Sequence, residues 1–150
     1  MADVLKMFEK HKNAVYRLAL SYTCSVSDAE DICQSAFMKL LEHSEIPDEK
    51  AKNWLLKVTV NLCKDFHKSF WNKNREELSE EIPFEIPEQG EAFFAMMSLN
   101  KKERAVVYLF YYEGYKTEEI AKILGISQTA VTTRLSRARK NIKTRLEAKK

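Results

Sequence analysis

Residues 117–146 read TEEIAKILGISQTAVTTRLSRARKNIKTRL, and this pattern predicts the fold of the C-terminal part of the chain. The apolar residues before Gly125 recur at helical spacing, and this glycine supplies a left-handed turn. Ser127 is placed to cap a second helix. The spacing predicts a helix-turn-helix, in which two helices cross at a steep angle. The side chains expected between the two helices are Ile120, Ala121, Leu124, Ile126, Val131 and Leu135.

The second helix of this pattern is basic. Between Ser127 and Arg145 there are six basic residues and no acid, whereas a solvated helix usually alternates the two signs. Short polar side chains near its start suit the base edges of a major groove, and arginine and lysine suit phosphates. The pattern indicates DNA binding, with a purely structural helical hairpin as the alternative. The basic residues are Arg134, Arg137, Arg139, Lys140, Lys143 and Arg145.

The charge of the chain is divided into three segments. Residues 1–75 carry 12 basic and 10 acidic side chains, a net charge of +2. Residues 76–95 carry seven glutamates and no basic residue, and they contain Pro83 and Pro87 without a sustained period. Residues 96–150 carry 13 basic and five acidic side chains, a net charge of +8. This division indicates two modules on either side of a linker, and the basic module favours nucleic acid as a partner.

Three helical patterns precede the linker, and each has one apolar face. The second is predicted to open with a capping box from Ser27 to Glu30. Its apolar stripe is Ile32, Cys33, Ala36, Phe37, Leu40 and Leu41. After the linker, Asn100 and Glu103 form another predicted cap before a helical run over 105–112. The chain is therefore predicted to be all-α, with two small helical domains (1–75 and 96–150) joined by an acidic linker (76–95), the C-terminal domain being a helix-turn-helix.

Several classes of function lack their sequence signatures. No Gly-rich phosphate loop, metal-ligand cluster or nucleophile–His–acid order is visible, so we expect no enzyme, no cofactor and no metal. Cys24, Cys33 and Cys63 lack CxxC spacing and are expected to be reduced thiols. No stretch approaches the roughly 18 consecutive apolar residues of a membrane helix. Residues 1–20 show no signal-peptide core, and we expect a cytoplasmic protein without membrane insertion.

Three segments then occur in a meaningful order: DAEDICQSAFMKLLE at 28–42, NWLLKVTVNLCKDF at 53–66 and EGYKTEEIAKILGISQTAVTTRLSRARK at 113–140. In turn they resemble the polymerase-binding helix, the −10 element helix and the −35 element helix-turn-helix of bacterial extracytoplasmic-function (ECF) sigma factors. These are the minimal two-domain form of the promoter-specificity subunit of RNA polymerase. The resemblance implies that the chain binds core RNA polymerase and directs promoter-specific initiation, while the polymerase performs all the chemistry.

The resemblance gives a role to the polar face of the second helix. In the family this face docks on a coiled coil of the polymerase β′ subunit. The residues alone predict no more than a solvated face. The positions that match the motif are Asp28, Asp31, Gln34 and Phe37.

For the −10 element, the family inserts a flipped base of the non-template strand into a pocket beside a loop, which matches residues 45–50. The residues implied on the following helix are Lys57, Asn61 and Lys64. Asn61 offers the donor and acceptors that reading a base edge requires. Trp54 fits either the core or a stacking platform. Phe70 and Trp71 fit either stacking on single-stranded DNA or closure of the first core.

For the −35 element, the matching side chains lie on the recognition helix, the second helix of the helix-turn-helix. They are Gln128, Thr132, Thr133, Arg134, Ser136 and Arg137. Thr129-Ala130 replaces the family's frequent Gly-Thr, and Thr132 and Ser136 stand where many members place a basic or bulkier residue. These departures imply that the recognised sequence differs from those of many members.

The resemblance implies core RNA polymerase, through its β′ and β subunits, and promoter DNA as partners, with an anti-sigma factor as a further candidate. It implies that the acidic linker passes near the polymerase active centre, and a plain tether fits the composition equally well. The main alternative is a helix-turn-helix regulator that is not a polymerase subunit. That alternative explains residues 96–150 but gives residues 28–75 no function.

Overall fold

A computed structural model describes residues 3–74 and 99–148 of the chain. Within these residues it contains six α-helices, one π-helical segment and no strand, which confirms the predicted all-α class. The chain divides into two compact units, Met1–Phe84 (unit 1) and Glu85–Lys150 (unit 2). No helix among the described residues combines the length and the apolar character that a membrane crossing requires.

In the described part of unit 1, three helices each pack against the other two: α1 (Val4–Thr23), α2 (Val26–Glu42) and α3 (Asp48–Asn74). A short turn joins the end of α1 to the start of α2. At the far ends, the Phe8 and Phe37 rings meet edge to face with centroids 5.0 Å apart, so the two helices run antiparallel. The apolar faces meet in a small core, as the helical periodicity predicts. Its fully buried members include Val15, Leu18, Leu20, Leu40, Leu55, Leu56 and Val60.

The cap of α2 lies at a different residue from the one predicted. Cys24 takes a left-handed conformation (φ 53°), and its N–H donates to the Leu20 carbonyl. Ser25 then has extended backbone, and its Oγ accepts from the Asp28 N–H at 3.3 Å. Ser27 was predicted to cap this helix, which is wrong, because α2 begins at Val26 and Ser27 lies inside its first turn. A capping side chain must stand outside the helix, where its backbone is free to be extended.

Unit 2 contains α4 (Lys101–Val107), a π segment (Tyr108–Tyr112), α5 (Thr117–Leu124) and α6 (Gln128–Ala148). Helix α6 packs against both α4 and α5. The predicted cap of α4 is confirmed, since Asn100 Oδ1 accepts from the Glu103 N–H at 2.9 Å and Asn100 Nδ2 donates to Glu103 Oε2 at 3.2 Å.

The π segment replaces the end of a run predicted as ordinary helix. The Glu113 N–H donates to the Tyr108 carbonyl at 3.2 Å, a bond to the fifth residue back rather than the fourth. The Tyr115 N–H reaches still further, to the Leu109 carbonyl at 3.0 Å, and Tyr108 Oη donates to Glu113 Oε2 at 2.5 Å. Gly114, with φ 73°, ends the segment.

The predicted helix-turn-helix is confirmed in its local geometry. Gly125 ends α5 in the left-handed conformation (φ 70°, ψ 37°), and the Ile126 N–H donates to the Ala121 carbonyl at 3.0 Å. Ser127 Oγ accepts from the Ala130 N–H at 3.0 Å and so caps α6. The buried side chains of these two helices include Ile120, Leu124, Val131, Leu135 and Ala138.

Some predictions lie outside the described residues. The acidic linker at 76–95 is among them, so the domain limits stay predictions. The side chains of Phe70, Trp71 and Arg145 also lie outside the described part of the chain.

Candidate functional site

The outer face of α2 carries the polar side chains that were predicted to bind polymerase. Asp31 and Gln34 are exposed and lie three residues apart, so they share one face of the helix. Asp28 is half-buried in the first turn, where the helix dipole favours a carboxylate. The structure therefore brings Asp28, Asp31 and Gln34 together along the N-terminal half of α2.

Phe37 departs from the predicted set. Its side chain is only 5% exposed and packs against Phe8, so it belongs to the core of unit 1 and is not presented to a partner. The reason is its position on the helix, which falls with Cys33 and Leu40 on the buried stripe.

The exposed face of α2 continues into apolar side chains that the sequence analysis missed. Met38 and Leu41 are each 63% exposed. Leu41 was predicted to belong to the buried stripe, which is wrong, since it lies a full two turns beyond Gln34 on the same outer face. The face thus changes from polar to apolar along its length, and Met38 and Leu41, three residues apart, form a small exposed apolar area.

A groove of about 300 Å³ runs between α1 and α2 beside this face. Lys12, Asn13 and Tyr16 of α1 line it from one side, and Glu30 and Gln34 of α2 line it from the other. The Cys33 thiol, also at the groove, donates to the Lys12 carbonyl at 3.8 Å. Burial and then the Glu30 carboxylate raise the pKa of Cys33 to about 11, so this thiol stays protonated near neutral pH.

The α3 residues predicted to bind the −10 element form a second exposed face. Lys57, Asn61 and Lys64 are all exposed and are spaced by four and three residues, so they align along one side of α3. Near the start of the helix, half-buried Trp54 contacts the His43 ring with centroids 5.4 Å apart. His43 Nδ1 lies 3.4 Å from Glu45 Oε2, a contact within the loop between α2 and α3.

The recognition helix, α6, presents most of its predicted DNA-binding residues to solvent. Thr133, Ser136 and Arg137 are exposed on the side opposite the buried Val131 and Leu135, whereas Arg134 is half-buried. Two exposed residues near the start of the helix bond within unit 2: Gln128 Nε2 donates to Thr117 Oγ1 at 2.9 Å, and Thr132 Oγ1 donates to the Thr129 carbonyl at 2.9 Å. The geometry so brings a polar, basic surface to one side of α6.

Arg139, also a basic residue of α6, is bonded within unit 2. Its Nε donates to Tyr111 Oη at 2.7 Å, and its guanidinium carbon lies 5.6 Å from the Phe110 ring centroid and 5.8 Å from that of Tyr111. The charge pattern predicted a phosphate ligand here. The aromatic partners lie 28 residues away in sequence, on the π segment, which helical periodicity does not reveal.

Among the described residues, no group of three His, Cys, Asp or Glu side chains is arranged to hold a metal ion. Three exposed surfaces carry the predicted binding residues. They are the α2 face and the α3 face of unit 1 and the α6 surface of unit 2.

Comparison with known proteins decides the family. Residues 7–72 match the Sigma-70 region 2 family and residues 94–142 match the Sigma-70, region 4 family. The chain is 30% identical to the RNA polymerase sigma factor SigV of Bacillus subtilis, over 91% of this chain and 86% of that protein. The chain belongs to the ECF sigma factor family. The family function, to direct transcription initiation by RNA polymerase, accounts for both units, which the alternative of a free-standing regulator does not.

Other relatives agree with this assignment. The sigma factor is 28% identical to the ECF RNA polymerase sigma factor SigL of Mycobacterium tuberculosis, over 86% of this chain and 80% of that protein. It is 29% identical to the probable RNA polymerase sigma factor RfaY of Xanthomonas campestris pv. campestris. That match covers 90% of this chain but spans only 38% of the length of the Xanthomonas protein.

Solved structures that share the fold include two complexes. The sigma factor RpoE of Bartonella quintana, solved in complex with the anti-sigma factor NepR, has a TM-score of 0.79 at 20% identity, with 100% of both chains covered. CnrH, solved in complex with the cytosolic domain of CnrY, has a TM-score of 0.69 at 23% identity over 98% of this chain and 89% of that chain.

Proposed function

We propose that unit 1 of this sigma factor binds core RNA polymerase through the α2 face and holds the melted −10 strand on the α3 face, while α6 of unit 2 reads the −35 duplex. The observation that supports this division best is the order of the two family matches, region 2 on unit 1 and region 4 on unit 2. The proposed domain limits are those predicted from the sequence, 1–75, 76–95 and 96–150.

The α2 face suits a protein partner. Asp31 and Gln34 offer a carboxylate and an amide to basic and polar groups, and Met38 and Leu41 add exposed apolar area beyond them. Protein interfaces of ordinary size combine an apolar centre with a polar rim in this way. We therefore assign the β′ subunit of the polymerase to this face, and Phe37 supports it from inside the core.

The α3 face suits a single strand of DNA. Asn61 can donate to and accept from a base edge, and Lys57 and Lys64 on either side of it supply positive charge for the phosphates. The asparagine can therefore hydrogen-bond a base edge of a melted strand while the two lysines bind its phosphates.

The α6 surface suits duplex DNA. Helices of this kind lie in the major groove with their N-terminal residues on base edges. Thr133, Ser136 and Arg137 face outward on the same side, and we assign them to the bases and phosphates of the −35 element. Arg134 is half-buried, and Gln128 and Thr132 already bond within unit 2, so we assign these three to the margin of the contact.

The proposal also covers the remaining expectations. The sigma factor acts in the cytoplasm, where its polymerase is, and it has no enzymatic activity of its own. An anti-sigma factor is a candidate partner, because the RpoE structure described above is a complex with an anti-sigma factor and the CnrH structure is a complex with the cytosolic domain of CnrY.

The polymerase-binding face is tested by a double substitution, Asp31→Ala with Gln34→Ala. Both residues are exposed, so the helix should keep its fold while affinity for purified core polymerase falls about tenfold or more, because two polar contacts worth about 0.5–1.5 kcal/mol each are lost. Fluorescence anisotropy of the labelled full chain, titrated with core enzyme, measures this affinity. Lys10→Ala, an exposed change on α1, is the matched control and should bind as the parent does. Equal affinity of the double variant and the control would reject the α2 face as the docking site.

A further inference from the structure

One edge of the recognition helix is bonded to the rest of unit 2 at two points. Gln128 and Arg139 are 11 residues apart, about three turns, and therefore lie on nearly the same side of α6. Gln128 Nε2 donates to Thr117 Oγ1 at 2.9 Å, at the start of α5. Arg139 Nε donates to Tyr111 Oη at 2.7 Å, on the π segment.

The Arg139 contact is more than one hydrogen bond. Its guanidinium also lies against the Phe110 and Tyr111 rings, 5.6 and 5.8 Å from their centroids. The two rings meet edge to face at 5.0 Å, so together they form a corner that the guanidinium occupies. Cation–π attraction and a hydrogen bond to the phenol therefore act on the same group and oppose its rotation away from the corner.

The π segment presents this corner. Its bonds to the fifth residue back widen the helical turn, so Tyr111 points in a direction that a continuous α-helix would not give it. The bond between Tyr108 Oη and Glu113 Oε2 closes the segment on itself. A π turn inside a helix is often found at a functional site, and here it places a phenol within reach of α6.

The other side of α6 is held as well. Asn141 is two residues beyond Arg139 and so points to a different side, where its Nδ2 donates to Glu103 Oε1 at 3.1 Å. Glu103 in turn accepts from Asn100 at the cap of α4. Bonds on two sides of a helix resist its rotation about its own axis more effectively than bonds on one side.

We propose that Arg139 and Tyr111 form a clamp that fixes the rotation of α6, and that Arg139 is a positioning residue for −35 recognition and not a phosphate ligand. Side-chain tips lie about 5–6 Å from a helix axis, so a rotation of about 10° moves them by about 1 Å. Hydrogen-bonded recognition tolerates shifts of about half that size. The clamp thus decides which base edges Thr133 and Ser136 can reach. This inference rests on the proposed function of unit 2.

The two roles of Arg139 predict different salt dependence. Removing a phosphate ligand lowers the slope of log affinity against log salt concentration by about one. Removing a positioning residue changes which sequences are preferred and leaves that slope unchanged. Arg137, exposed on the outward side of α6, provides the comparison, since Arg137→Ala should lower the slope.

The test uses the full chain assembled with core RNA polymerase and a pool of promoter duplexes in which the −35 segment is randomised. The bound fraction is sequenced, and binding of the best duplex is then measured over a series of salt concentrations. The variants are Tyr111→Phe, which removes only the hydroxyl, Arg139→Gln, Arg139→Lys and the comparison Arg137→Ala. Circular dichroism verifies that each variant keeps its helices.

We expect Tyr111→Phe and Arg139→Gln to weaken the preference for the parent −35 sequence over its single-base variants about fivefold, near the value of one lost hydrogen bond, without a change of salt slope. Arg139→Lys keeps the charge but not the planar guanidinium, and should resemble Arg139→Gln. The clamp is overturned if Tyr111→Phe selects the same sequences with the same ratios, or if Arg139→Gln lowers the salt slope as Arg137→Ala does. Should the parent holoenzyme enrich no −35 sequence at all, the proposed function of unit 2 fails first, and the clamp with it.

Discussion

Gly125 joins the two helices of the DNA-reading motif at a backbone conformation that other residues rarely adopt. Its φ of 70° lies in the left-handed region, and a Cβ built there would meet nothing within 4 Å. Space is therefore not what selects glycine at this position. The selection comes from the backbone, because an L-residue in this conformation brings its Cβ too close to the following carbonyl oxygen.

Gly125→Ala should destabilise unit 2 by about 1–2 kcal/mol, the cost of one left-handed residue with a Cβ. Hydrogen exchange in the full chain, read at the amides of α5 and α6, measures the loss as faster opening. Gly125→Asn should lose less, since asparagine tolerates this region. Equal protection in parent and alanine variant would show that the turn does not depend on the glycine.

The three cysteines should differ in reactivity for a related local reason. Burial, first, and Glu30 raise the pKa of Cys33 to about 11, and burial alone raises the pKa of Cys63 further. The reactive species is the thiolate. With a pKa of about 11, only about one Cys33 in a thousand is thiolate at pH 8, and the fraction rises as the pH approaches 11. Cys24 is less buried than either.

We therefore expect iodoacetamide at pH 8 to label Cys24 well before Cys33 or Cys63 in the folded chain. Peptide mass spectrometry over time measures the three rates, and the difference should vanish in denaturant. Comparable labelling of Cys33 and Cys24 in the folded chain would contradict the burial of the Cys33 thiol beside Glu30.

At the scale of single elements, the start of α2 depends on one of two serines that lie close together. Ser25 has the extended backbone of a cap and accepts from the Asp28 N–H, whereas Ser27 lies within the helix. Ser25→Ala should cost unit 1 about 1 kcal/mol in the free energy of unfolding. Ser27→Ala should stay within about 0.5 kcal/mol of the parent. Urea titration followed by tryptophan fluorescence measures the unfolding of unit 1, which contains Trp54 and Trp71. A larger loss of stability for Ser27→Ala than for Ser25→Ala would reject the assigned cap.

Sequence reasoning succeeded where the signal is local. Gly125, Ser127 and the cap from Asn100 to Glu103 each act within a few residues, and all three predictions were confirmed. It failed where the outcome depends on packing between elements. The apolar side chain of Leu41 favoured the buried stripe, whereas its spacing from Gln34 puts it on the outer side of α2, which the packing of unit 1 leaves exposed.

The candidate site shows the same division. Periodicity placed Asp31, Gln34 and Arg137 correctly on exposed faces. It placed Arg139 with the phosphate ligands, because its bond to Tyr111 requires both a π turn and a contact across 28 residues. Helical spacing assumes uniform turns, so a π segment is invisible to it.

For the whole molecule, the division of charge matches the proposed division of labour. The near-neutral segment 1–75 includes the proposed polymerase-binding and strand-holding faces of unit 1, and the segment of +8 includes the proposed duplex reader of unit 2. Charge alone could not distinguish a sigma factor from a free-standing regulator, since both need a basic reader. The region 2 match over residues 7–72 made that distinction, because a free-standing regulator does not account for a sigma region in unit 1.

The most direct test of the central claim is reconstituted transcription. The purified full chain is combined with core RNA polymerase from its own bacterium and with fragments of that genome, and the 5′ ends of the transcripts are mapped. We predict discrete start sites that require the chain, that share upstream −10 and −35 sequences, and that weaken when Asp31 and Gln34 are both replaced by alanine. Absence of any chain-dependent start site on its own genome, with a core enzyme that responds to another sigma factor, would contradict the account.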